Sequence, residues 1–85
     1  MKMKAVRIQL NGGLEARPVA MLVQVASQHD STVYLESEGK KVNAKSIMGM
    51  MSLRLQQGEN IVVITDGKDE TEAAAGVERF LAARG

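Results

Sequence analysis

The chain has 85 residues, with 11 Lys and Arg against 10 Asp and Glu, six methionines and no cysteine. That length holds one domain with one modest core, and without cysteine there are neither disulfide staples nor thiolate metal sites. Near-balanced charge with one Phe, one Tyr and no Trp argues against direct nucleic-acid binding, and the short apolar runs exclude a membrane-spanning helix.

Residues 2–10 alternate, Val6, Ile8 and Leu10 against Ala5, Arg7 and Gln9, which predicts a half-buried strand. The basic start has no signal-length apolar segment after it, so a cytoplasmic location is expected. Asn11-Gly12-Gly13 ends the strand and is a candidate hinge for exchanging it between two copies. Leu14 to Pro18 leads into a helix, with Pro18 in the first turn, where a missing N–H costs nothing. Val19, Leu22, Val23 and Ala26 form one core-facing stripe, and the helix should end near His29-Asp30. His29 is expected to be a harmless neighbour of the free carbonyls there.

Thr32 to Leu35 and Lys40 to Asn43 predict a hairpin turning at Ser37-Glu38-Gly39. Glu36 and Glu38 read as solvated surface rather than an acid/base pair. Ile61-Val62-Val63-Ile64 has no polar alternation and reads as the central strand. After a turn at Asp66-Gly67-Lys68, Asp69 and Glu72 resemble a capping box. The last helix then buries Ala73, Val77, Phe80 and Leu81, with Ala74 at the margin. The order is strand, helix, strand, strand, helix, strand, helix: four strands packed by helices on one face.

The stretch from Asn43 to Leu53 carries the most chemistry. It predicts a short helix ending around Leu53 or Leu55, with Ser46 at the capping position. A phosphate on the Ser46 oxygen would meet free N–H groups and the positive helix end, and Lys45 stands beside it. Ile47, Met48, Met50 and Met51 are too many large apolar groups for one buried face of so short a helix. Two readings stand: a capping serine with every methionine in the core, or a modifiable serine beside an exposed apolar interaction surface.

An autonomous enzyme would need a nucleophile with its base, a metal site or an acid/base pair. No such constellation is visible, and neither cofactor nor metal is expected. Gly12-Gly13 matches neither the dinucleotide fingerprint nor the P-loop. Arg17 lies near a helix start, where a cation is not favoured. It either pairs with Glu15 or offers its donor fork to a partner's phosphate or carboxylate.

Gly13-Leu14-Glu15-Ala16-Arg17-Pro18 and Lys45-Ser46-Ile47-Met48-Gly49 together resemble the two motifs of HPr, the histidine phosphocarrier of the bacterial sugar phosphotransferase system. The resemblance runs over essentially the whole length. It implies a single α+β HPr-like domain over 1–85: an open-faced, two-layer sandwich with a four-stranded antiparallel sheet covered on one face by three helices. The family's carrier histidine is replaced here by Glu15, a carboxylate without imidazole's nitrogen nucleophile and near-neutral pKa. His29 stands at the other end of the helix and is no substitute.

Loss of the histidine with retention of the serine is similar to the catabolite-repression subfamily, Crh, in which glutamine is the usual replacement. That resemblance implies phosphorylation of Ser46 by HPr kinase/phosphorylase and docking of the phosphoserine form on a LacI-type catabolite control regulator. Arg17, Lys45, Ile47, Met48 and Met51 are the implied partner-binding residues, and the regulator would make the DNA contacts. The alternatives are a phosphocarrier that still works through Glu15, or an engineered carrier-site variant of a histidine-bearing parent. A third is an interaction protein that is never phosphorylated.

Overall fold

The computed structural model describes residues 1–10 and 16–83, with the side chains of Ala16 and Arg17 outside that description. The elements are β1 (Lys2–Arg7), α1 (Ala16–Ser27), β2 (Thr32–Ser37), β3 (Lys40–Asn43), α2 (Ile47–Met51), β4 (Asn60–Asp66) and α3 (Glu70–Ala82). The strands make one antiparallel sheet in the order β1-β4-β2-β3. This is the α+β open-faced sandwich anticipated from the sequence, and β4 is the inner strand that its apolar run predicts.

Register explains that run. Ile61, Val63 and Thr65 alternate with Val62 and Ile64, and residues opposite one another share a face. Ile61 lies opposite Val6, and Val63 opposite Leu35. All four join Leu22, Val77 and Leu81 in the core between sheet and helices. Ile64 lies opposite Met3 on one side and Tyr34 on the other, so large neighbours bury it even on the open face. Both faces of β4 therefore favour apolar residues.

Two element boundaries and the burial of one helix depart from the sequence expectation. β1 stops at Arg7, opposite Asn60, the first residue of β4. Beyond it the chain pairs irregularly: Ile8 N–H donates to the Glu59 carbonyl at 2.9 Å and Gln9 N–H to the Leu81 carbonyl at 2.8 Å. Leu10 is only partly buried. α2 stops at Met51 because Ser52 closes it, its Oγ donating to the Gly49 carbonyl at 2.6 Å. Leu53 and Leu55 then reach the core from the following turn, half-buried and buried respectively. On α3, Ala74 is buried rather than marginal, and Phe80 is only partly so.

The capping box at α3 is corrected. Asp69 occupies the N-cap position but makes no side-chain cap bond. Its carboxylate turns to the loop between α1 and β2. There it accepts from Ser31 N–H at 2.9 Å, Asp30 N–H at 3.1 Å and the Ser31 hydroxyl. His29 Nδ1 lies 3.1 Å away and, carrying its proton there, donates as well. Buried Ser31 requires such a partner. Glu70, not Glu72, reaches back across the turn, accepting from Gly67 N–H at 3.2 Å.

These donors, the Ser31 hydroxyl foremost, hold the Asp69 carboxyl far below the usual carboxylate range. The Gly67 N–H lowers Glu70 too. A depressed folded pKa adds stability above the unfolded value, and that stability is lost as pH falls toward the folded one. Stability should therefore decline below about pH 4, where an unfolded carboxylate begins to hold its proton. Urea melts between neutral pH and pH 2 test this: Asp69→Asn should flatten the acid limb, leaving the part due to Glu70. An unchanged limb would refute the assignment.

Candidate functional site

The site is built where β3 ends. Asn43 Oδ1 accepts from Lys45 N–H at 2.8 Å, and the Asn43 carbonyl accepts from Ser46 N–H at 3.0 Å. Asparagine makes such local bonds readily, and they turn the chain out of the sheet. Ser46 then adopts extended backbone angles, φ −113° and ψ 116°, the geometry of an N-cap residue. Its Oγ accepts from Gly49 N–H at 3.2 Å, and its carbonyl accepts from Met50 N–H at 2.9 Å. The side chain is partly exposed, and α2 has no acidic residue in its first turn to repel an anion.

The two readings of the methionines divide residue by residue. Met50 is 1% exposed and belongs to the core, whereas Ile47, Met48 and Met51 are 48%, 84% and 50% exposed. Residues three or four apart share one side of a helix. Ile47, Met48 and Met51 accordingly make one apolar face, beginning at the residue after Ser46.

Lys45 has a contact within the fold. Its ammonium donates to the His29 carbonyl at 2.7 Å, satisfying a carbonyl just beyond the C-terminus of α1 and tying α2 to it. Glu15 lies outside the described residues, as do the side chain of Arg17 and the hinge candidate Asn11-Gly12-Gly13. Sequence reading passed over Met21, 50% exposed on α1, the helix that packs against α2. Its place off the Val19/Leu22/Val23/Ala26 stripe was the available signal. Among the described residues no helix is long and apolar enough to cross a membrane.

A family model described as the PTS HPr component phosphorylation site matches residues 2–83. The chain belongs to the HPr family. The HPr-like protein Crh of Halalkalibacterium halodurans is 49% identical over 78 residues, which are 92% of this chain and 93% of that protein. HPr-C-His from Thermoanaerobacter tengcongensis has a crystal structure similar at a TM-score of 0.93 and 42% identity, covering 99% of this chain and 94% of that one. Crh of Bacillus subtilis, which crystallised as a domain-swapped intertwined dimer, is similar at a TM-score of 0.79 and 44% identity, covering 99% of this chain and 97% of that one. Membership of the HPr family carries a general phosphotransfer or regulatory role, with interactions of the HPr/Crh kind. HPr-family proteins are not themselves enzymes.

Proposed function

We propose that this HPr-family chain is a regulator in carbon catabolite repression, switched by phosphorylation of Ser46. HPr kinase/phosphorylase transfers a phosphoryl group to Ser46 Oγ. The new O–P bond forms as the terminal P–O bond of ATP or pyrophosphate breaks, ADP or orthophosphate leaves, and the hydroxyl proton passes to a base or to solvent. The product then docks on a LacI-type catabolite control regulator as its corepressor, and the regulator contacts DNA.

One observation carries this reading: a partly exposed capping hydroxyl adjoins the exposed face of Ile47, Met48 and Met51. Phosphorylation adds about 1.5 to 2 negative charges and strong acceptor oxygens. A basic group on the regulator pairs with that charge while the apolar face supplies contact area, methionine being adaptable at such surfaces. Arg17 and Glu15, from the first motif, are the further residues proposed to contact the regulator. Glu15 in place of the carrier histidine removes the nitrogen nucleophile and makes this chain a receiver of the serine signal rather than a relay.

Intact mass after two incubations tests this. One phosphate is expected with ATP and the kinase, and none with phosphoenolpyruvate and Enzyme I. Phosphate acquired from Enzyme I and lost in Glu15→Gln would instead establish a working carrier. No phosphate from either source would leave an interaction protein of HPr fold.

The likeness to Bacillus subtilis Crh supports exchange of β1 between two copies about the Asn11-Gly12-Gly13 segment. Light scattering across a concentration series should then detect dimers. Monomer throughout would rule the exchange out.

A further inference from the structure

The three methionines of α2 form a graded series. Met48 is 84% exposed, Met51 50% and Met50, between them, 1%. The chain has no cysteine, so no thiol competes with its thioethers for a two-electron oxidant. Ile47 and Met51 are four apart and Met48 and Met51 three apart, which puts the two accessible sulfurs on the face that begins beside Ser46.

We propose that Met48 and Met51 are an oxidative modification site, and that their conversion to sulfoxides turns off the docking face next to Ser46. The second half rests on the reading of that face as the regulator-binding surface. The co-reactant is a hydroperoxide such as hydrogen peroxide. A lone pair on the methionine Sδ attacks one peroxide oxygen and the O–O bond breaks. Sulfur keeps that oxygen and is oxidised by two electrons, and the other oxygen takes the proton and leaves as water.

The product replaces a soft apolar group with a strongly polar S=O. In an apolar partner pocket that oxygen has lost water without gaining a donor, which opposes binding. Met50 retains its thioether because the core excludes the oxidant, so the fold survives the modification. Repair by methionine sulfoxide reductases makes the change reversible.

Met1, Met3 and Met21 are also exposed, at 74%, 57% and 50%. Met1 and Met3 sit at the β1 edge of the sheet and report unselective oxidation. The experiment treats the kinase-phosphorylated full chain with graded hydrogen peroxide and assigns sulfoxides by fragment-ion mass spectrometry. Regulator affinity is measured before treatment, after it, and after reductase repair. A Met48→Leu/Met51→Leu double variant goes through the same series, each protein being compared with its own untreated sample.

Met48 and Met51 should oxidise ahead of Met50. Treatment should weaken wild-type binding by about tenfold or more, leave the double variant's ratio unchanged, and be undone by the reductases. Met50 oxidising as early as Met48, unchanged affinity of treated wild type, or an equal loss in the double variant would each overturn the proposal. Failure of untreated phosphoprotein to bind the regulator would overturn the functional reading and the gate with it. The order of oxidation would then still decide the modification site.

Discussion

On the proposed switch, Ser46→Ala should abolish phosphate addition by HPr kinase/phosphorylase and reduce regulator binding to the level of the unphosphorylated chain. The reason is chemical: the variant has no oxygen at the position proposed to receive the phosphoryl group. It also loses the bond from Gly49 N–H to Ser46 Oγ, and removal of such a cap costs about 1 kcal/mol. Ser46→Asn separates the two effects. Asparagine is a good N-cap but no kinase substrate, so this variant should regain stability without regaining phosphorylation. Intact mass and regulator affinity, read beside a urea melt, give all three quantities. Phosphate incorporated into Ser46→Ala would place the modification elsewhere, and regulator binding indifferent to the phosphate would sink the switch.

Gly67→Ala should be the most damaging single-methyl addition among the described glycines. Gly67 has φ +147°, and a Cβ there would lie 2.6 Å from Ser31 Oγ and 2.8 Å from Ser31 Cα. Ser31 cannot retreat, because it is 1% exposed and both its N–H and its hydroxyl are held by Asp69. Backbone strain and the clash together should cost roughly 3 kcal/mol. Gly39 is the contrast. It follows Glu38 at the hairpin tip, with φ of 51° and 80° at the two positions, as a type I′ turn requires. Nothing lies within 4 Å of a Cβ there, so Gly39→Ala meets the left-handed strain alone, about 1 kcal/mol. Urea midpoints of the two variants compare them directly. Equal losses would mean that contact with Ser31 contributes nothing.

Much of the fold was legible because its signals are local. The alternation in β1, the stripe on α1, the apolar run of β4 and the glycine at the hairpin each report a periodicity or a turn within a few residues. A local bond ends α2, where the Ser52 hydroxyl takes the Gly49 carbonyl three residues back. The boundary of β1 instead depends on a distant partner, since β1 ends where β4 begins opposite it. The capping-box reading of Asp69 failed for the same reason. Cap chemistry is visible in sequence, but a carboxylate chooses among all the donors near it, and here the better set lies 38 to 40 positions away.

At the candidate site the division is equally clear. Ser46 was recognisable as a cap, and the proposal that Glu15 replaces a carrier histidine rests on motif alone. The bond from Lys45 to the His29 carbonyl was not legible, because folding brings together residues 16 positions apart. Which methionines face outward was also beyond the sequence. A five-residue helix is too short for its apolar period to define a face, and only the packing of α2 against α1 and β3 buries Met50 while leaving Met48 and Met51 in solvent. The sequence by itself determined the order of elements, the family motifs and the capping position of Ser46. The tertiary structure decided which side chains that serine would have beside it, because burial depends on contacts between segments far apart in the chain.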